Sequence, residues 1–142
     1  MKINGKLKAE VTVALNRYAQ AYSKKDIGLI MKLTAPDYFG FGSGPDEDVG
    51  SVEELRSHLE RDFAQSDDLK MEIGVARICA SGNVAWTTGP CMITASIGGK
   101  NYSYEGRMST VLVKEDDKWL VASSHFAMPD CGQETGRSFN IK

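Results

Sequence analysis

Arg107 and His125 are the residues of this chain whose types and places invite chemistry first, and both lie in the stretch NYSYEGRMSTVLVKEDDKWLVASSHFAMP, residues 101–129. An arginine in mid-strand is costly to bury alone, so Arg107 must meet a ligand anion or a protein carboxylate. Glu105, Asp46 and Glu47 are the internal partners on offer. His125 is a candidate proton carrier, since an imidazole changes charge near neutral pH. Asp46 and Glu47 form a carboxylate pair on a glycine-rich loop, placed to act as acid and base at a pocket mouth. Tyr18 offers a hydroxyl donor from an apolar helical stripe, and Trp86 a flat wall for stacking. His58 reads as a solvated helix residue. Two distant histidines do not make a metal ligand set, so no metal and no cofactor is expected.

The 101–129 stretch holds two runs rich in β-branched and aromatic residues around the polar turn Lys114–Lys118. With Asp116-Asp117 as a two-residue turn, Glu115 faces Lys118 and Val113 faces Leu120. Continued without interruption, that register sets Val111 against Ala122, Ser109 against Ser124 and Arg107 against Phe126. The expected binding set is therefore Tyr18, Trp86, Arg107, Ser109, Ser124 and Phe126, suited to an anionic apolar ligand. His125 would lie on the other face with Trp119 and Val121, towards a partner subunit in a homodimer. A bulge would be needed to bring Arg107 and His125 together.

The elements that must hold these groups follow from periodicity. Val11, Leu15, Tyr18 and Tyr22 mark a first helix, Asp26 caps a shorter second, and Pro36 stops it. A short strand covers 37–41 and an aperiodic loop follows. Ser51 with Glu54 opens a third helix whose inward side is Val52, Leu55, Leu59 and Phe63. From Leu69 the period becomes two, up to a turn at Ser81-Gly82-Asn83. Val84–Ile97 is a long strand interrupted at Gly89-Pro90, and Gly98-Gly99 turns the chain into the 101–129 hairpin. This is an α+β order: three helices on one face of a curved antiparallel sheet, enclosing a pocket.

Length and composition fit one domain, residues 1–142, with 42% apolar and 25% charged residues and a net charge of −2. That charge, without a Lys/Arg cluster, argues against nucleic acid or membrane as partner. No apolar run reaches the ~18 residues of a membrane span, and MKINGKLKAE has no apolar signal core, so a cytoplasmic location is expected. Cys79, Cys91 and Cys131 are odd in number and widely spaced, which suits a reducing compartment.

The order of elements resembles the nuclear-transport-factor-2-like (NTF2-like, cystatin-like) superfamily, and within it the SnoaL-like and ketosteroid-isomerase-like domains. Asn16-Arg17-Tyr18 through Lys25-Asp26, the loop Phe41-Gly42-Ser43-Gly44-Pro45-Asp46, Gly106-Arg107 leading into Val111-Leu112, Lys118-Trp119-Leu120 and Ser124-His125-Phe126 carry the likeness. The resemblance implies a cone-shaped α+β fold and a range of functions: isomerase, cyclase, hydrolase, binding domain or assembly module. Ketosteroid isomerases pair a helix tyrosine with a protonated acid as oxyanion donors and use a separate carboxylate base. Tyr18 is similar to that tyrosine. The base position falls near Gly42, with Asp46 a few residues on, and the acid position near Met108 or Ser109. The expectation is a small-molecule-binding domain, with the alternative an enzyme using Tyr18 as donor and Asp46 or His125 as base.

Overall fold

The computed structural model describes residues 4–141. Helix α1 (Gly5–Ser23) starts at Asn4, whose side chain accepts the Leu7 N–H at 2.8 Å, and buries Val11, Leu15, Tyr18 and Tyr22. Asp26 caps α2 (Ile27–Lys32) by accepting the Leu29 N–H at 3.0 Å. Strand β1 (Thr34–Phe41) and the two-residue β2 (Asp48–Val49) precede α3 (Val52–Ala64), capped by Ser51 through the Glu54 N–H. Then come β3 (Asp68–Ile73), β4 (Arg77–Ser81), β5 (Val84–Ile97), β6 (Lys100–Glu115) and β7 (Lys118–Ala127). No described helix is long and apolar enough to cross a membrane.

The sheet runs β2-β1-β7-β6-β5-β3, with β4 also on β5. The segment after Leu69 is two strands rather than one: β3 and β4 take successive halves of the same edge of β5. Pro90 sits at the changeover, where β5 faces neither strand of that edge and its missing N–H costs nothing. The meander β5-β6-β7 is antiparallel as expected, but β1 joins β7 in parallel.

The β6–β7 register departs from the uninterrupted one at a single residue. Glu115 pairs Lys118 and Leu112 pairs Val121, but Val111 then pairs Ser123, so Ala122 is a bulge. Beyond it every partner is shifted by one: Thr110 faces Ser124, Ser109 faces His125, Met108 faces Phe126 and Arg107 faces Ala127. A one-residue slip exchanges faces, so Ser124 and Phe126 turn toward the helices while His125 joins Arg107 and Ser109 on the uncovered face. Trp119 and Val121, before the bulge, are also on the helix-covered face, 7% and 3% exposed. Trp119 Nε1 donates to Glu10 on α1 at 3.2 Å, so these two residues are core and not a partner surface.

Close approach of β1 to β7 requires Gly40, because a Cβ there would run into the Ser124 carbonyl oxygen and the Tyr38 hydroxyl. Gly40→Val is expected to cost roughly 1–3 kcal/mol through backbone displacement at the β1–β7 pair. Urea unfolding of parent and variant measures it, and equal midpoints would show that this strand pair gives way without cost.

Candidate functional site

Helices and sheet diverge around a cavity of about 360 Å³. Its wall is built from Tyr18 and Tyr22 of α1, Tyr38 of β1, Glu47 before β2, His58 and Asp62 of α3, Ile93 of β5, Met108 of β6, and Ser124 and Phe126 of β7. That volume suits a ligand of one or two rings. Phe126 reaches the cavity because Gly106 leaves it room; a Cβ on Gly106 would lie 2.6 Å from the ring. Among the described residues no lysine or arginine lines the cavity.

The polar groups gather where α3 meets the glycine loop. Leu55, His58, Leu59 and Asp62 share the inner side of α3, with His58 and Asp62 one turn apart. The end of α3 is held by Lys25, whose ammonium donates to the Phe63 carbonyl at 3.0 Å and to that of Ser66. Tyr22 donates its hydroxyl to Asp62 Oδ2 at 3.2 Å. Burial, and then the nearby charge of Glu47, raise the Asp62 carboxyl above its ordinary range, outweighing the lowering by Tyr22 and Arg61.

Glu47 is seated by glycines. The Gly42 N–H donates to the Glu47 carbonyl at 2.9 Å, the Glu47 N–H donates to the Gly44 carbonyl at 3.2 Å, and a Cβ on Gly42 would collide with the Glu47 carboxylate. Arg61 clamps this loop, bonding Asp46 at 2.5 Å and reaching Glu47 at 3.6 Å. A guanidinium only donates, so its 3.4 Å contact with His58 Nδ1 puts the ring proton on Nε2.

Tyr38 and Ser124 share a hydrogen bond at 2.7 Å across β1 and β7. The Tyr18 hydroxyl has no hydrogen-bond partner among the described residues, although the ring is only 7% exposed and lines the cavity. Burial, and then the neighbouring Tyr38, push the Tyr18 phenol well above its usual value, so it is a donor at every ordinary pH.

Of the residues singled out in the sequence, Tyr18, Ser124 and Phe126 line this cavity. Arg107, Ser109, His125 and Trp86 do not: Arg107 and Ser109 alternate with the buried Met108 and Thr110 of β6, Trp86, 44% exposed, alternates with the buried Ala85 and Thr87 of β5, and His125 lies beyond the bulge. Arg107 and His125 therefore share a face after all. Asp46 lies outside the cavity, where the Arg61 hydrogen bond holds its carboxyl below the usual range. His58, read as solvated, lines the cavity, and Tyr22, Tyr38 and Asp62 were not singled out at all. The available signal was the polar pair His58 and Asp62 on the same helical side as Leu55 and Leu59.

A helix-covered, open curved sheet around a side-chain-lined cavity is the α+β architecture of NTF2-like proteins. The chain belongs to the SnoaL-like domain family, whose model matches residues 11–130. Among solved structures it is similar to an NTF2-like superfamily protein from Salmonella enterica, at 20% identity, 96% of this chain and 98% of that one, with a TM-score of 0.82. It is also similar to a candidate scytalone dehydratase from Novosphingobium aromaticivorans (10% identity, 86% and 83% covered, TM-score 0.79). A third is a candidate dehydratase of the NTF2-like family from Streptomyces avermitilis (15% identity, 85% and 94% covered, TM-score 0.78). A search of curated proteins finds no match.

The raised Asp62 carboxyl has a consequence for stability. A carboxyl whose folded value lies above its unfolded value of 3.8 helps the fold below that pH and loses this contribution as pH rises through the folded value. Parent stability should therefore fall relative to Asp62→Asn as pH rises from about 4 towards neutrality. Urea unfolding of both proteins across that range gives the difference; a flat difference would mean that Asp62 is an ordinary carboxylate.

Proposed function

We propose that the cavity binds a small, uncharged, largely apolar carbonyl compound and moves protons on it, as an isomerase or dehydratase does. The observation that carries this is Asp62, a cavity carboxyl whose hold on its proton is strengthened by burial and by Glu47. In its protonated form it joins the unpartnered Tyr18 hydroxyl as a second donor for a carbonyl oxygen, the kind of pair that stabilises an enolate. Glu47, held on its glycine seat, is the carboxylate that takes the proton from the adjacent carbon. Returning that proton elsewhere on the molecule is isomerisation; expelling a β-hydroxyl as water, with a proton supplied by an acid, is dehydration. The dehydratase descriptions of two similar structures support this chemistry by analogy of fold alone. The anionic ligand expected from Arg107 does not suit a cavity whose ionised group is a carboxylate.

The same reading includes a homodimer, moved from the Trp119 and Val121 side to the uncovered face. There Phe39, Ser123, Val111, Trp86 and Cys79 form one cross-strand row, and Phe39, Trp86 and Val111 are 64%, 44% and 36% exposed. An apolar row of this kind suits a second copy. Val111→Lys should shift the protein to monomer in sedimentation, whereas an unchanged mass would place the interface elsewhere.

Turnover is tested by exchange of carbon-bound hydrogen next to the carbonyl of simple cyclic ketones in heavy water, followed by NMR. Glu47→Gln should slow exchange by at least about a hundredfold and Tyr18→Phe by about tenfold or more. If the parent neither binds nor exchanges any of these ketones, the carbonyl reading falls; if Glu47→Gln exchanges as fast as the parent, the base is another group.

A further inference from the structure

The cavity leaves Arg107, Arg77 and His125 unused, and the uncovered face of the sheet brings them together. Strand pairing sets Arg77 beside Thr88, Thr88 beside Ser109, Ser109 beside His125, and His125 beside Phe41. Neighbouring strands are about 4.8 Å apart, so this row is a straight line of side chains across five strands. Arg107 stands one place along β6 on the same face as Ser109. The Phe41 ring lies 5.6 Å from the His125 ring at the β1 end of the row.

Arg77, Thr88, Arg107, Ser109 and His125 line a groove of about 740 Å³ with Val75, Ala76, Pro90 and Ala127. It holds two guanidiniums, one imidazole and two hydroxyls, and no carboxylate lines it among the described residues. Arg56, Arg61 and Arg137 each pair with an acidic side chain, whereas Arg77 and Arg107 pair with none among the described residues. Glu105, the internal rival for Arg107, makes no ion pair with it.

We propose that this groove is a second binding site, for the carboxylate of a small organic acid. A carboxylate matches the planar fork of a guanidinium, and the hydroxyls of Ser109 and Thr88 lie between the two arginines as further donors. Val75, Ala76 and Pro90 give the apolar body of such an acid a surface to cover. The site is independent of the acid–base reading of the inner cavity, from which it is separated by the thickness of the sheet.

Calorimetric titration with benzoate, benzyl phosphate and benzyl alcohol tests it, together with NMR mapping of backbone amides. Benzoate should bind the parent saturably and shift the amides of Thr88, Ser109 and His125, and benzyl alcohol should not bind there. Arg107→Met and Arg77→Met should each weaken benzoate at least about tenfold, and Arg17→Met, on the helix side, should leave it unchanged. Both groove arginines are exposed, so the variants should keep the parent melting temperature. The proposal is overturned if the parent shows no saturable benzoate binding, if Arg107→Met binds as well as the parent, or if the shifts fall only on inner-cavity residues such as Ile93 and Ser66. Binding of benzyl phosphate without benzoate overturns the carboxylate assignment.

Discussion

The bulge at Ala122 is the constraint on which the two faces of this sheet depend. A strand has a period of two, so an extra residue in β7 exchanges the inside and outside of everything after it. Before the bulge, Trp119 and Val121 pack under α1. After it, Ser124 and Phe126 take over the inward positions and His125 goes out. The exchange also suits β1, whose Tyr38 needs the Ser124 hydroxyl at 2.7 Å and whose Gly40 needs the bare Ser124 backbone. Without the extra residue His125 would point at the helices and the polar rim of the cavity would be a different one.

Inside, the governing interaction is between charges. Glu47 and Asp62 both face the cavity, and two carboxylates brought near each other out of water cannot both ionise freely. Arg61 clamps the Asp46–Glu47 loop. Burial raises the Asp62 carboxyl, against the lowering by the Tyr22 hydroxyl that it accepts from. Asp62 thus holds its proton more tightly than an ordinary carboxyl, the direction that an acid beside a carboxylate base requires.

Much of this fold was legible because helix stripes and strand alternation are local signals. The stripe Val11, Leu15, Tyr18, Tyr22 and the Ser51 cap are read within one or two turns of chain, and the β6–β7 turn within a few residues. The bulge is different: nothing in Val121-Ala122-Ser123 marks it, because it is imposed by β1 and β6 packing on both sides of β7. The expected inner and outer faces were exchanged before it, which misplaced Arg107, Ser109, Trp119 and Val121, while beyond it Ser124 and Phe126 face inward and His125 outward as expected. Asp62 escaped notice for a related reason. A charged residue flanked by Arg61 and Phe63 looks solvated until α1 and the glycine loop are known to close over it. The split of the segment after Leu69 was hidden likewise, since β3 and β4 alternate alike and only their shared edge of β5 separates them.

Sheet geometry also explains why acidic and basic chemistry can coexist on adjacent residues. Met108 and Ser124 look into a cavity whose charge is carboxylate, while their neighbours Arg107, Ser109 and His125 look outward to a groove whose charge is cationic. Facing the same way, the arginines would pair with Glu47 and Asp62. They would then lower the Asp62 carboxyl, and no free guanidinium would remain outside. The pleat prevents that neutralisation by geometry alone, since successive side chains of one strand leave on opposite sides. Loss of the bulge would thus cost more than packing: it would turn a histidine into the acidic cavity and withdraw Ser124 from Tyr38, altering both faces at once.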